Sequence, residues 1–284
     1  MEQQQNLFGG VDPEIQERVA SRRDALFGMS RLGMTLAAAS VPVAIAAMAK
    51  SAFGQTLPTG IVQALNFALT LEYLEAEFYT RGVASGVIPG GDQAIFTTIR
   101  DHENQHVAFL QQVLGSQAVA KPTFDFTGGN GANNGPFSPF TSYAQFLVLA
   151  QGFEDTGVRA YKGQAPNLMS IDSVLQAALQ IHSVEARHAA EVRRLRGQRA
   201  GTAEQAPYKG WITLAQVDAA AAPIQAVYNA GVDAANFPAE SNTVQGGLNV
   251  ATLTGQTAAS AGESFDEPLD MARVLQIVDP FIAG

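Results

Sequence analysis

Two short patterns in this chain bring together side chains that can hold a metal ion. Glu103 and His106, and again Glu185 and His188, stand three residues apart. On a helix that spacing puts a carboxylate and an imidazole on one face, where they can grip a single cation. Two more glutamates, Glu72 and Glu154, lie upstream, each followed two helical turns later by a tyrosine, Tyr79 and Tyr161. A hydroxyl at that distance returns to nearly the same face as its glutamate and can hydrogen-bond near the site.

The two sets repeat at one offset. Glu72 and Glu154, Tyr79 and Tyr161, Glu103 and Glu185, and His106 and His188 all stand 82 residues apart, as do Gly115 and Gly197. One such match would be chance. Five at a single offset, taking in two of the chain's four histidines, indicate a duplicated helical hairpin whose polar core was kept. The glutamates lie in apolar surroundings, with Leu69-Thr70-Leu71 before Glu72 and Ala150-Gln151-Gly152-Phe153 before Glu154. Charged groups are seldom buried unless paired or ligated. A pair of cations would neutralise the four carboxylates, which makes Glu72, Glu103, His106, Glu154, Glu185 and His188 the candidate ligands of two metal ions. The competing reading is a bundle that keeps the pattern and binds no metal.

The neighbours of this set divide by the repeat. The equivalents of Glu75 and Glu77 are Gly157 and Arg159, so neither has a matching carboxylate. Glu75 is a candidate supporting residue or extra ligand, and Glu77 a solvated one. His102 maps to Val184; it and His182 are read as supporting or surface residues. Tyr79 and Tyr161 are either core aromatics or hydrogen-bond partners of ligand carboxylates. No catalytic residue beyond the metal ligands is singled out.

Four helices must position these residues. Apolar spacing near 3.6 residues predicts helices over residues 59–84, 92–114, 138–162 and 170–196. Asp92 and Ser138 stand at N-cap positions, Pro139 follows at the first helical position, and Gly115, Gly163 and Gly197 stand as stops. Short links join the first helix to the second and the third to the fourth, giving two antiparallel hairpins. The stretch over residues 116–137, rich in Gly, Asn, Pro and Phe, is long enough to cross the bundle. In the remainder, residues 211–235 read as an Ala-rich helix interrupted at Pro223, residues 236–267 as loop, and residues 268–278 as a short helix.

Composition narrows the chemistry. Apolar residues make up 46% and charged residues 15%, enough for a substantial core, and the formal net charge is −9. That sign argues against nucleic acid as a partner. With no cysteine, thiolate metal sites, iron–sulfur clusters, disulfides and thiol nucleophiles are excluded. The N-terminus reads as an export signal: Ser21-Arg22-Arg23-Asp24-Ala25-Leu26-Phe27 has the twin-arginine form, and an uncharged Ala-rich stretch follows over residues 32–49. The expected organisation is a signal over residues 1–54, a four-helix bundle over 55–200 and a C-terminal extension over 201–284. A cleaved signal leaves no membrane association; a retained anchor is the alternative.

One glutamate on a helix and Glu-x-x-His on the next, occurring twice, resembles the carboxylate-bridged di-iron and di-manganese proteins of the ferritin-like superfamily. The strings LNFALTLEYLEAEFY and HENQHVAFL look like secreted bacterial ferritin-like proteins related to desiccation-associated proteins. The resemblance implies an all-α, ferritin-like four-helix bundle of two hairpins with one long crossover. Glu72 and Glu154 match its single-glutamate helices; Glu103 with His106, and Glu185 with His188, match its Glu-x-x-His helices, each of these pairs holding one ion while Glu72 and Glu154 cap or bridge. Such a site takes Fe or Mn and reacts with O2 or peroxide. The expected function is an exported protein that oxidises Fe(II) or removes peroxide, as a manganese catalase does, in stress protection. The alternative is a non-catalytic envelope protein of desiccation stress whose metals only staple the fold. A homo-oligomer is compatible with either.

Overall fold

A computed structural model of the chain describes residues 57–199, 209–214 and 219–283. The export signal expected over residues 1–54 lies outside them. The bundle consists of α1 (Thr59–Ser85), α2 (Gln93–Leu114), α3 (Tyr143–Leu168) and α4 (Asp172–Arg199). α1 packs on α2, α3 on α4, and α1 on α3. This is the expected pair of hairpins, joined by a long crossover between α2 and α3. Among the described residues no helix is long and apolar enough to cross a membrane.

Several helix ends differ from expectation, each for a local reason. α3 begins at Tyr143 rather than near Ser138. The stretch before it is a turn, in which Thr141 and Ser142 donate to the Ser138 carbonyl, and Ser142 caps the helix through Gln145. α3 then runs through Gly163 and Pro166. Gly163 is no stop: a Cβ there would lie 2.0 Å from the Leu269 carbonyl, so glycine lets the C-terminal extension press on the helix. Pro166 falls in the last turn, so the hydrogen bond it removes is confined to the end of the helix. α4 continues past Gly197 to Arg199. Asp92 precedes α2 but makes no capping bond. Its carboxylate accepts instead from the Tyr143 hydroxyl at 2.7 Å and from Arg199, which ties the start of α3 to the end of α4.

The bundle has two different ends. Toward the end of α1, Phe78, Phe96, Phe146 and Phe153 form an aromatic plug, with Phe78 stacked on Phe146 at 4.8 Å and Phe96 edge-on to Phe146 at 4.9 Å. Gly82 makes room for it, because a Cβ there would meet the Phe146 ring at 2.2 Å. The other end is aliphatic, built from Leu65, Leu110, Leu168, Val174 and Ile181, all buried.

Two segments outside the bundle cover its single-glutamate helices. The crossover lies over α1: Asn66 donates to the Gln117 carbonyl, and Arg81 stacks over Phe126 and Phe140. The extension lies over α3, and residues 146–161 are buried without interruption, so this helix has no wet face. The described residues of 211–235 do not form the expected α-helix: they hold a 3₁₀ stretch, Ala219–Tyr228, with Pro223 inside it, flanked by turns and bends. Its Ile224 packs on α3, 3.0 Å from where a Cβ at Gly152 would stand. Beyond it come a small hairpin of β2 (Val244–Gln245) and β3 (Leu248–Asn249), two short helices α5 (Val250–Thr254) and α6 (Ala258–Gly262), and α7 (Met271–Val278), capped by Asp270. The chain closes with β4 (Ile282–Ala283), paired antiparallel to β1 (Thr123–Phe124) of the crossover. The two covering segments thus hydrogen-bond each other.

Arg159 anchors the extension. It is wholly buried on α3, 2.9 Å from Glu240, and donates to the carbonyls of Glu267, Val227, Asn229, Pro238 and Pro268. Burial pushes the Glu240 carboxyl up to about 8, with Arg159 pulling the other way. Arg159→Leu would leave Glu240 and several carbonyls buried without a partner. The expected loss is about 3–5 kcal/mol of stability, read as a lowered urea midpoint and early proteolysis of the extension; an unchanged midpoint would contradict this role.

Candidate metal centre

Glu72, Glu103, Glu154 and Glu185 each sit near the middle of their helix, between the aromatic and aliphatic plugs. All four are 0% exposed. Their side chains converge with His106 and His188 into two overlapping groups of possible ligand atoms: Glu72, Glu103, His106 and Glu185, and Glu103, Glu154, Glu185 and His188. The six candidate ligands named from the repeat are therefore gathered in one place, out of four helices.

The grouping assigns positions differently from the simple pairing of each glutamate with its own histidine. His106 Nδ1 lies 3.1 Å from Glu103 Oε2, 3.2 Å from Glu72 Oε2 and 3.3 Å from Glu185 Oε1. His188 Nδ1 lies 2.8 Å from Glu103 Oε1 and 3.3 Å from Glu154 Oε2. Glu103 turns one oxygen to each histidine. Glu103 and Glu185 are common to both groups, whereas Glu72 and Glu154 each belong to one.

These residues fit a metal by the hydrogen bonds they fail to make. Buried polar atoms are almost always paired. Among the described residues eight buried side-chain nitrogens and oxygens have no hydrogen-bond partner, and five belong to this cluster: Glu103 Oε1, Glu154 Oε2, both Glu185 oxygens and His188 Nδ1. Several lie within contact distance of one another yet are not aligned as donor and acceptor. They point toward common interior positions, as ligand atoms do. Carboxylate and imidazole donors suit iron or manganese.

The tyrosines cross between hairpins. Tyr79 donates to Glu154 and Tyr161 to Glu72, so each hairpin orients the terminal glutamate of the other. Burial, followed by the adjacent carboxylate, raises both phenol pKa values well above the usual one, which keeps the hydroxyls protonated as donors.

Glu75 belongs to neither group but is buried beside them. Its Oε1 would be 3.4 Å, and Glu185 Oε2 2.9 Å, from a Cβ placed at Gly157. Gly157 is the repeat equivalent of Glu75, and the missing side chain on α3 is the room that Glu75 fills. Burial first, then Glu185, pushes the Glu75 carboxyl well above its ordinary range, so it is held neutral. Glu77 lies outward, paired with Lys121 at 2.7 Å. His182 belongs to neither group and is hydrogen-bonded to the Val158 backbone.

His102 was not a ligand candidate, and it is not one here, but it touches a candidate ligand. Its Nδ1 is 2.9 Å from His188 Nε2. The repeat leaves His102 without an equivalent, because position 184 is valine, and that break is the signal the sequence offers of a separate role.

Beside the cluster an apolar cavity of about 20 Å3 is lined by residues including Ala68, Leu110, Tyr161, Leu168 and Ile181. It has room for a water-sized molecule and, being apolar, excludes water itself. His106, 12% exposed, and the half-buried His102 are the nearest approach to solvent.

Fold and site together define a four-helix-bundle protein with a carboxylate–histidine centre in its core. Residues 60–198, which make up the bundle, match the family model of a ferritin-like domain. No curated protein matches the chain.

Proton competition governs this cluster. Burial raises the Glu103 carboxyl from 4.5 to about 7. Burial opposes protonation of His188, but Glu154 and Glu103 outweigh it and carry it to about 11. Without metal both therefore hold protons below neutral pH, and a cation must displace them. Apparent Mn(II) affinity should rise with pH, most steeply below about 7 where Glu103 competes, with proton release visible in buffers of different ionisation enthalpy; a pH-independent affinity would contradict this. Gly157→Ala should displace the Glu185 carboxylate and lower metal content, measured by elemental analysis, while the fold persists by circular dichroism.

Proposed function

We propose that this is an exported di-metal carboxylate protein that binds two iron or manganese ions and either oxidises Fe(II) or removes peroxide, as part of stress protection of the cell envelope. The observation that carries the reading is the convergence of four fully buried glutamates and two histidines with five unpaired ligand atoms among them. Bound there, iron or manganese supplies the electron steps that reduce O2 or peroxide. Glu72, Glu103, His106 and Glu185 would hold one ion, and Glu103, Glu154, Glu185 and His188 the other. Tyr161 and Tyr79 hold the terminal carboxylates in place, and the two apolar plugs keep bulk water from the bundle core. The narrow surroundings favour small reactants over an organic substrate. In Fe(II) oxidation, the electrons pass from Fe(II) as substrate to O2. In peroxide disproportionation, two peroxide molecules yield water and O2 with no outside donor.

Export is supported by the paired arginines at Arg22 and Arg23 and the Ala-rich stretch after them. Such a route carries folded proteins, which suits a centre loaded beforehand. The secreted, desiccation-related subtype is supported by the short strings of α1 and α2 alone. The complete burial of the glutamates also favours a second reading, in which the ions only staple the bundle.

The test is elemental analysis of the protein from its native compartment, followed by peroxide turnover and O2-dependent Fe(II) oxidation. Metal-loaded protein inactive in both assays would reject the catalytic reading and leave the staple. In the catalytic reading Glu103→Ala abolishes turnover. In the staple reading it lowers the melting temperature and there is no turnover to lose.

A further inference from the structure

The two halves of the centre share their ligands but not their supports. His188 presents Nδ1 to Glu103 and Glu154 and is held from behind by His102, whose Nδ1 lies 2.9 Å from His188 Nε2. The two rings are within 14° of parallel and their centroids stand 5.2 Å apart, too far for rings lying over one another at this N–N distance, so the bond lies close to both ring planes. An imidazole can offer the Nδ1 lone pair to a cation only when its proton sits on Nε2, and His102 Nδ1 is the acceptor for that proton. His102 therefore fixes both the tautomer and the ring angle that a ligand at this position needs.

His106 has no counterpart to this support. The position 82 residues beyond His102, which would hold His106 by the symmetry of the hairpins, is Val184. The valine side chain has no acceptor, and among the described residues the ion-pair and hydrogen-bond partners of His106 are those of its Nδ1: Glu72, Glu103 and Glu185. Its ring can turn without losing a bond on its far side.

We infer that His102 is a positioning residue that makes the two metal positions unequal: the ion between Glu154 and His188 is bound tightly and resides, while the ion between Glu72 and His106 exchanges. This rests on the metal-centre reading and deepens it. A resident ion beside an exchanging one is the arrangement under which the second position can take up and release Fe(II) as a substrate. His102 stands on α2, half-exposed, so its replacement need not disturb the core.

The experiment is titration of the metal-free full chain with Mn(II), followed calorimetrically and by the paramagnetic signal of free Mn(II). The wild type should fill in two steps of different affinity. His188→Ala should remove the tight step and His106→Ala the weak one. His102→Val, which copies the residue of the other hairpin, should weaken the tight step by about 10–100-fold, the usual consequence of losing an outer partner of a metal-bound histidine, and leave the weak step unchanged. His102→Asn, whose Oδ1 can stand where Nδ1 stood, should restore most of the loss. A purely structural role would lower both steps together and would not be rescued by asparagine. Two equal steps in the wild type, or a His102→Val protein that binds as the wild type does, overturns the inference while leaving the centre intact. No binding by the wild type overturns the centre and the inference with it.

Discussion

Five glutamates, Glu72, Glu75, Glu103, Glu154 and Glu185, are buried at 3% exposure or less inside a bundle otherwise packed with aromatic and aliphatic side chains. An ionised carboxylate in such a place is strongly unfavourable unless opposite charge or hydrogen bonds replace its water. Two imidazoles and two phenols supply part of that replacement: His106 draws Glu72 below its ordinary pKa despite burial, and Tyr161 and Tyr79 donate to the terminal glutamates. The rest is missing from the protein itself, as the unpaired oxygens of Glu154 and Glu185 record. The fold has to be rigid enough to hold these groups together against their own repulsion, and that requirement explains why so much of the chain is devoted to covering four helices.

The cover is not incidental to the bundle. α1 and α3, which carry the terminal glutamates, are both roofed over, α1 by the crossover and α3 by the extension. The repeat-equivalent positions Glu77 and Arg159 each make an ion pair with the segment above them, Glu77 with Lys121 at 2.7 Å and Arg159 with Glu240 at 2.9 Å. One pair is partly exposed and adds little to stability. The other is desolvated, and its guanidinium also satisfies carbonyls of the extension that would otherwise be buried without donors. A second buried set, in which Arg193 of α4 and Tyr228 of the extension both bond Asp155, places another tie directly beside the ligand position at Glu154. The extension is thus coupled to the centre through α3, not merely laid over it.

The duplication accounts for what the two halves share, and its breaks account for how they differ. Glu75 against Gly157 puts an extra neutral carboxyl on one side and room for it on the other. His102 against Val184 gives one ligand histidine a support that its twin lacks. Both departures lie on the first hairpin and both reach across to residues of the second, so the centre is asymmetric even though its six ligand positions are matched pairwise.

The helices, their pairing into hairpins and the six converging residues were legible in the sequence, because helical periodicity and a fixed offset are local or repetitive signals that survive without coordinates. Three kinds of fact were not. Where α3 begins was decided by the Ser142 cap, and the glycine at position 163, inside the helix, was decided by the backbone of Leu269, which passes too close for any side chain. Which glutamates face both histidines was decided by the rotation of four helices about one another, which turned the two Glu103 oxygens to different histidines. The roles of His102 and Arg159 came from partners 86 and 81 residues away, separations at which no pattern along the chain reports contact. Local spacing determines which face of a helix a side chain occupies; only packing determines what that face meets.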